Sequence, residues 1–492
     1  MTISSKQTSS NHSNGTATPN PRHKPISTAH QSSGKQCPKL LPSGFIGQAI
    51  ACSFAAIFAL DAANLTTACG FPVQDANPSA KTTAAITDKP KPWNQWRGPE
   101  RDTQFSGPQW PKSIDGKNLT TLWQAKQGPS YSGPITDGKY IYSTETLEKK
   151  EEVVRALDLK TGEVKWEARW PGAMQVPFFA ASNGSWIRST PACDGKRVFV
   201  VGILDTLHCL DAESGKELWM IDFAKEYQTG MPSFGAVCSP MMDEKHLYLQ
   251  AANSFFKLRK EDGKVVFRTM EENGGMMSGG SFSSPAFAKM QDKQQILVQS
   301  RTNLAGVEPE TGQVLWQTEV PSFRGMNILT PIEFEDSVFT SSYNNQSYLY
   351  QIPASKGGSS NSNNVSTAWS SPAKGYMSTP TVIDGYAYML LQNGRMGCLE
   401  LKTGERKWTS PKSFGDYCSF VTQGDKFLVL SNDGVLRLVK ASPDDCEIIS
   451  QYQLPGITDS WAHIGMGVTG DNQIQIYVRS IDAMTVFNWS QN

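Results

Sequence analysis

Adjacent cysteines, a C-x-x-C pair, a G-x-S-x-G turn and a G-x-x-x-x-G-K-[ST] loop are all missing from this chain of 492 residues. Their absence removes the local signatures of zinc sites, thioredoxin-like redox sites, c-type haem attachment, serine nucleophiles and phosphate cradles. Histidine is scarce as well: beyond the first 44 residues only His208, His246 and His463 occur, and they share no ligand spacing. His208 sits beside Cys209 in a strand and His246 opens one, so both read as structural. The whole chain balances 46 basic against 46 acidic side chains, so no net field draws it to nucleic acid or an anionic membrane. A charged fraction of 19% and a hydrophobic fraction of 38% suit a β-rich globular body.

Asp and Glu are absent from Met1 to Leu60, a stretch rich in Ser, Thr, Asn and Gln. Residues 1–44 form a polar leader, either disordered or the product of a translation start set too far upstream. Residues 45–69 contain the apolar run Phe45 to Leu60, short for a membrane span and suited to a signal peptide. Export to the periplasm or cell envelope follows, with cleavage expected among the small residues from Ala62 to Cys69. Lipidation of Cys69 and retention as an anchor are the alternatives, and membrane association is expected only through that N-terminus. Residues 70–92 read as a linker and 93–492 as the folded body. Six cysteines fall in the body, and Cys209 and Cys398 occupy equivalent strand positions, which favours core packing over chemistry.

What is present is a recurring phrase. Asp158-Leu159-Lys160-Thr161-Gly162-Glu163-Val164-Lys165-Trp166 returns around Gly215 and Trp219, Gly312 and Trp316, and Gly404 and Trp408, with a variant at Gly263 and Phe267. In each copy the ring follows the glycine by four residues. Self-similarity at a period of roughly 40 to 50 residues marks stacked supersecondary units. Each copy reads as a hairpin in which Gly supplies positive φ and the aromatic packs against the neighbouring unit. Upstream, Thr190-Pro191, Ser239-Pro240, Ser284-Pro285, Thr330-Pro331 and Thr379-Pro380 each open a strand, with Gly133-Pro134 as a variant. The unit is therefore four short strands. Trp369 belongs to a unit whose turn is replaced by the polar stretch Lys356 to Asn364, so it is expected to tolerate truncation better than Trp123.

Six units carry aromatic outer strands, and a seventh, Phe414 to Leu454, has a decayed turn at Pro443 to Cys446. The tail ends before an eighth outer strand, whereas Leu119 to Ala125 carries Trp123 without a turn of its own. Joining the ends predicts an all-β, eight-bladed β-propeller of four-stranded blades closed by its N-terminal strand, with seven blades as the runner-up.

The D-x-x-[ST]-G-x-x-x-W turn with the [ST]-P-entered strand resembles the pyrroloquinoline-quinone-type propeller repeat. Quinoprotein alcohol dehydrogenases and the propeller lipoprotein of the outer-membrane β-barrel assembly machine share this repeat. Trp93-Asn94-Gln95-Trp96-Arg97-Gly98-Pro99 also resembles the lead-in of exported bacterial propellers of this group. The dehydrogenases hold their quinone against a ring of two adjacent cysteines and beside Ca²⁺. Here that pair is absent, and Glu145, Asp205, Asn253, Asn303, Asn327 and Asp416 are scattered one per unit. No cofactor is therefore expected, with pyrroloquinoline quinone and calcium as the alternative.

Residues ahead of each opening strand should face the channel. They include Phe234, Phe282, Tyr376 and Tyr417, and the best candidates for an axial binding mouth are Trp186, Arg188, Arg324, Trp461 and His463. The competing reading is interblade packing. The functional expectation is an exported, monomeric, non-enzymatic scaffold that binds protein partners through loops or blade edges, in the envelope or in outer-membrane protein assembly. A quinone-dependent dehydrogenase and a periplasmic small-ligand sensor are the alternatives.

Overall fold

The computed structural model describes residues 90–178, 184–272, 279–353 and 364–491. The polar leader, the signal-like segment and all but the end of the linker lie outside them. Among the described residues, strands group into eight antiparallel sheets of four, which form an eight-bladed propeller. Blades one to seven are contiguous, spanning 135–171, 192–222, 241–269, 286–319, 332–371, 381–413 and 418–453. Blade eight takes three strands from 465–489 and its outer strand from Leu119–Lys126, which pairs antiparallel with Ala483–Trp489. The expected N-terminal closure is thus observed, and closure leaves no open end to the ring. Among the described residues helix is limited to short turns such as Phe223–Glu226 and Phe323–Gly325.

The outer strands share one irregularity. Each pairing slips by one residue just before the repeat ring, as between Ala156 and Leu157 opposite Trp166, or Cys209 and Leu210 opposite Trp219. The bulge re-aims the aromatic towards the next blade. There it lies on the turn glycine: Trp123 on Gly162, Trp166 on Gly215, Trp219 on Gly263, Phe267 on Gly312 and Trp369 on Gly404. The indoles also donate Nε1–H to the carbonyl three residues ahead of that glycine, at 3.0 Å for Trp123 to Leu159, 3.0 Å for Trp166 to Ala212 and 2.7 Å for Trp369 to Leu401. At these junctions one side chain therefore packs a ring and satisfies a turn carbonyl.

The docking direction changes the reason offered for Trp369, which is half-buried where Trp123 is buried. A ring docks forward, so a changed turn affects the ring of the preceding blade. Trp369 rests on the intact Gly404 turn, whereas Trp316 donates its indole N–H to Gln295 of its own blade at 2.8 Å. In blade seven the ring position is Ser450, whose hydroxyl accepts from Ile114 N–H, and Phe105, Trp110 and Ile114 fill the core between blades seven and eight. Cys209 and Cys398 are fully buried strand residues, and the six cysteines of the described body are unpaired.

Candidate functional site

The hydroxyls that precede the opening prolines form a belt around the axis. Gly133 N–H donates to Thr190 Oγ1, Thr190 N–H to Ser239 Oγ, and Ser239 N–H to Ser284 Oγ, at 2.9 to 3.0 Å. Thr330 continues the belt through its own N–H, which donates to Thr379 Oγ1 at 3.1 Å. Each hydroxyl thus ties one blade to its neighbour while facing the channel. The sequence signal is the Ser/Thr-Pro pair, in which the proline marks the strand and the side chain before it lines the axis.

Along this belt runs a cavity of about 360 Å³. Its walls include Thr190, Ser239, Ser284, Thr330 and Thr379, the rings of Trp96, Tyr131, Phe282, Tyr417 and Trp461, and the polar groups Arg188, Asp459 and His463. It belongs to the face formed by the loops that lead from one blade into the next.

The opposite face is closed by the N-terminal segment. Trp93 O accepts from Thr136 N–H, Asn94 O from Cys193 N–H and Gln95 Oε1 from Met242 N–H, which seats the segment on blades one to three. Arg101 then donates to Pro240 O at 3.0 Å, Arg97 to Pro380 O at 2.8 Å, and Phe105 N–H to Thr422 O at 2.9 Å. Residues 93–105 therefore cross the axis from blade one to blade seven and plug it. Trp96 forms the cavity floor, edge-on to His463 at 6.0 Å between centroids, with the Arg97 and Arg101 guanidiniums 5.5 and 5.2 Å from its ring. Periodicity did not reveal this plug, because its partners lie far away in the sequence.

Burial governs the charges here. It lowers the Arg97 and Arg101 guanidiniums to about 10 and about 9, and Asp102 opposes the shift at Arg97. Arg97 Nε and Nη1 and Arg101 Nε are buried without a hydrogen-bond partner. His463 is pushed down to about 3 by burial and then by the Arg97 charge, so the ring is neutral at any physiological pH. Its Nδ1–H donates to Ile464 O at 2.8 Å. Arg188 is lowered by burial, lies 5.1 Å over the Tyr131 ring and donates Nη2–H to Gly184 O at 2.8 Å.

Of the five residues expected at the axial mouth, Arg188, Trp461 and His463 come together in the cavity, joined by Tyr417 and Phe282. Trp186 stands just outside, as a hydrogen-bond partner of Tyr131. Arg324 is not part of the site: it is exposed in a turn at φ 53°, with its guanidinium over Phe323 at 5.0 Å. Phe234 packs on Phe282, Tyr376 on Tyr343, and Asn327 is a buried loop brace to Arg301 and Val320 carbonyls. His208 is likewise structural, stacked on Trp170 at 4.0 Å between Glu217 and Thr206. Sequence reasoning missed Trp96, Tyr131 and Asp459.

A quinone and calcium fit these walls poorly. Calcium takes six to eight oxygen ligands, typically with several carboxylates. Asp459 is the single carboxylate on the described walls, and it accepts from Trp461 Nε1 at 2.6 Å. The dispersed candidates have other work: Asp205 accepts from Ala252 N–H, Asn253 from Gly280 N–H, and Glu145 pairs with Arg155.

Residues 149–410 match the family model of the outer membrane protein assembly factor BamB. The BamB of Yersinia pestis is 23% identical over 335 residues, covering 67% of this chain and 70% of that protein. Among solved structures, BamB from Moraxella catarrhalis aligns at a TM-score of 0.52 and 13% identity, over 76% of this chain and 98% of that one. Quinohemoprotein alcohol dehydrogenase from Comamonas testosteroni aligns at 0.54 and 12%, over 82% and 81%. At such identities the two structural likenesses speak to the fold alone.

Proposed function

Because the chain belongs to the family of the outer membrane protein assembly factor BamB, we propose that it is an exported, non-enzymatic propeller scaffold serving outer-membrane protein assembly. The family match over 149–410 carries the reading. The surface supports a protein partner: Leu122, Val164, Leu218, Met220, Val265 and Val266, all exposed, lie on the outer strands of four consecutive blades, the eighth and the first three. An apolar arc of this kind on an otherwise polar rim is the composition of an interaction surface.

Depleting the protein in its own cells should lower the fraction of outer-membrane β-barrel proteins that withstand SDS without heating. Photocrosslinkers at Leu218 and Val266 should trap a component of the assembly machinery. An unchanged folded fraction, with no crosslink from the arc, would overturn the reading. In this reading the protein needs neither quinone nor calcium. Purified protein supplied with both should oxidise alcohols or sugars no faster than a boiled control, and dye-linked turnover above that control would move it to the dehydrogenases.

A further inference from the structure

We propose that the axial cavity is a socket for a carboxylate carried on an aromatic or aliphatic body, with Arg188 as the anchor of the carboxylate. The inference is independent of the assembly reading, since it uses only the walls of the cavity and the plug beneath it.

The socket is blind. The segment 93–105 crosses the far end, so a ligand enters only from the loop face and stops against Trp96. Arg188 lies in the wall with its Nε buried and unpartnered, and among the described residues it has no carboxylate in ion-pair contact. Its stacking on Tyr131 and its one bond to Gly184 O fix the plane of the guanidinium without neutralising its charge. A half-buried guanidinium whose Nε is enclosed and unpartnered is costly, and its planar fork matches a carboxylate.

The surrounding charge has the same sign. Arg97 and Arg101 stand behind the floor with orphaned nitrogens, and the Arg97 charge is felt at His463 in the wall. Against three guanidiniums stand Asp102, near Arg97, and Asp459, already engaged by Trp461. The rest of the wall is suited to an apolar body: Trp461 stacks on Tyr417 at 5.9 Å, with Ile328 and Met377 alongside.

Such a carboxylate has two sources, a free small acid or the terminus of a peptide chain. Calorimetry on the folded protein with phenylacetate, phenylacetamide, Gly-Gly-Phe and its C-terminal amide distinguishes them. At least one acid should bind, and its amide roughly tenfold or more weaker, the loss expected when a charged hydrogen-bond pair is removed. Binding of the peptide alone assigns a chain terminus, and binding of phenylacetate alone assigns a free acid. Arg188→Gln should lose roughly tenfold or more at an unchanged melting temperature. Asp459→Asn should bind more tightly, and Arg324→Gln, altered on the same face outside the cavity, should bind as the native protein does. Equal binding of acid and amide, native affinity in Arg188→Gln, or no binding of either acid at concentrations up to about 10 mM, overturns the proposal.

Discussion

At the scale of single residues, the turn glycine of each repeat answers to two constraints that can be separated. Gly215 has φ 73°, and a Cβ there would meet the Trp166 ring at 2.5 Å; Gly195 has φ 82° with nothing within 4 Å. Gly195→Ala should therefore incur only backbone strain, about 1–3 kcal/mol, while Gly215→Ala should add the displacement of a docked indole. Thermal melts of the two variants check this, and equal losses would refute ring docking as the second constraint. Glu152 poses a different residue-scale problem. It accepts from Trp170 Nε1 in its own blade and from Ile203 N–H across the junction with blade two, both at 2.9 Å, and burial pushes its carboxyl up to about 7. Asp205, raised by burial to about 6, does the same towards Ala252 of blade three. A carboxyl raised in the folded state stabilises below its ordinary value of 4.5 and loses that contribution as pH climbs through about 7. The melting temperature should fall between pH 5 and pH 8, and Glu152→Gln should flatten the fall. A slope unchanged in the variant would remove Glu152 as its source.

At the scale of the element, the blade junction is carried by the outer strand of one blade and the turn of the next. Trp123→Ala should cost about 3–5 kcal/mol, the usual loss for a large buried ring. Trp369→Ala, half-buried but docked in the same way, should also melt below the native protein; a native melt would show that its bond to Leu401 O contributes nothing. The difference from the sequence expectation is instructive. Ring, glycine and spacing lie within one repeat, so the hairpin and even the blade count were legible, including Leu119 to Ala125 as the closing strand. Which turn a ring meets is a matter of the next repeat, and the local pattern does not carry it. The candidate site was legible to the extent that it obeys the repeat: Arg188, Trp461 and His463 fall just ahead of opening strands or in their equivalent. Arg324 satisfied the same rule, but its loop turns back at a left-handed residue and carries the side chain away from the axis. The plug had no periodic signature, because Gln95 and Arg101 bond at the opening strand of blade three and Arg97 at that of blade six, each contact made once.

At the scale of the whole molecule, sealing depends on one zipper. Leu119–Lys126 pairs with Ala483–Trp489 over its length, Trp489 donates its indole N–H to Ser113 O at 3.0 Å, and Arg479 Nη2 reaches Thr144 O in blade one at 3.2 Å. Removing residues 465–491 should therefore destabilise the two flanking blades as well as blade eight. Hydrogen exchange should show protection lost in blades one and seven together. Protection lost in blade eight alone would mean that the blades stand independently.

That zipper also sets an order in time. Blades one to seven can each form as their contiguous strands emerge, but Leu119–Lys126 is made early and its partner almost last, so the ring stays open for most of synthesis. Contacts between such distant segments form slowly. Throughout that interval the closing strand is an unpaired edge, and the partner strand of a second nascent copy fits it as well as its own. Folding at high concentration should thus yield strand-exchanged dimers, which concentrating chains already folded in dilute solution would not produce.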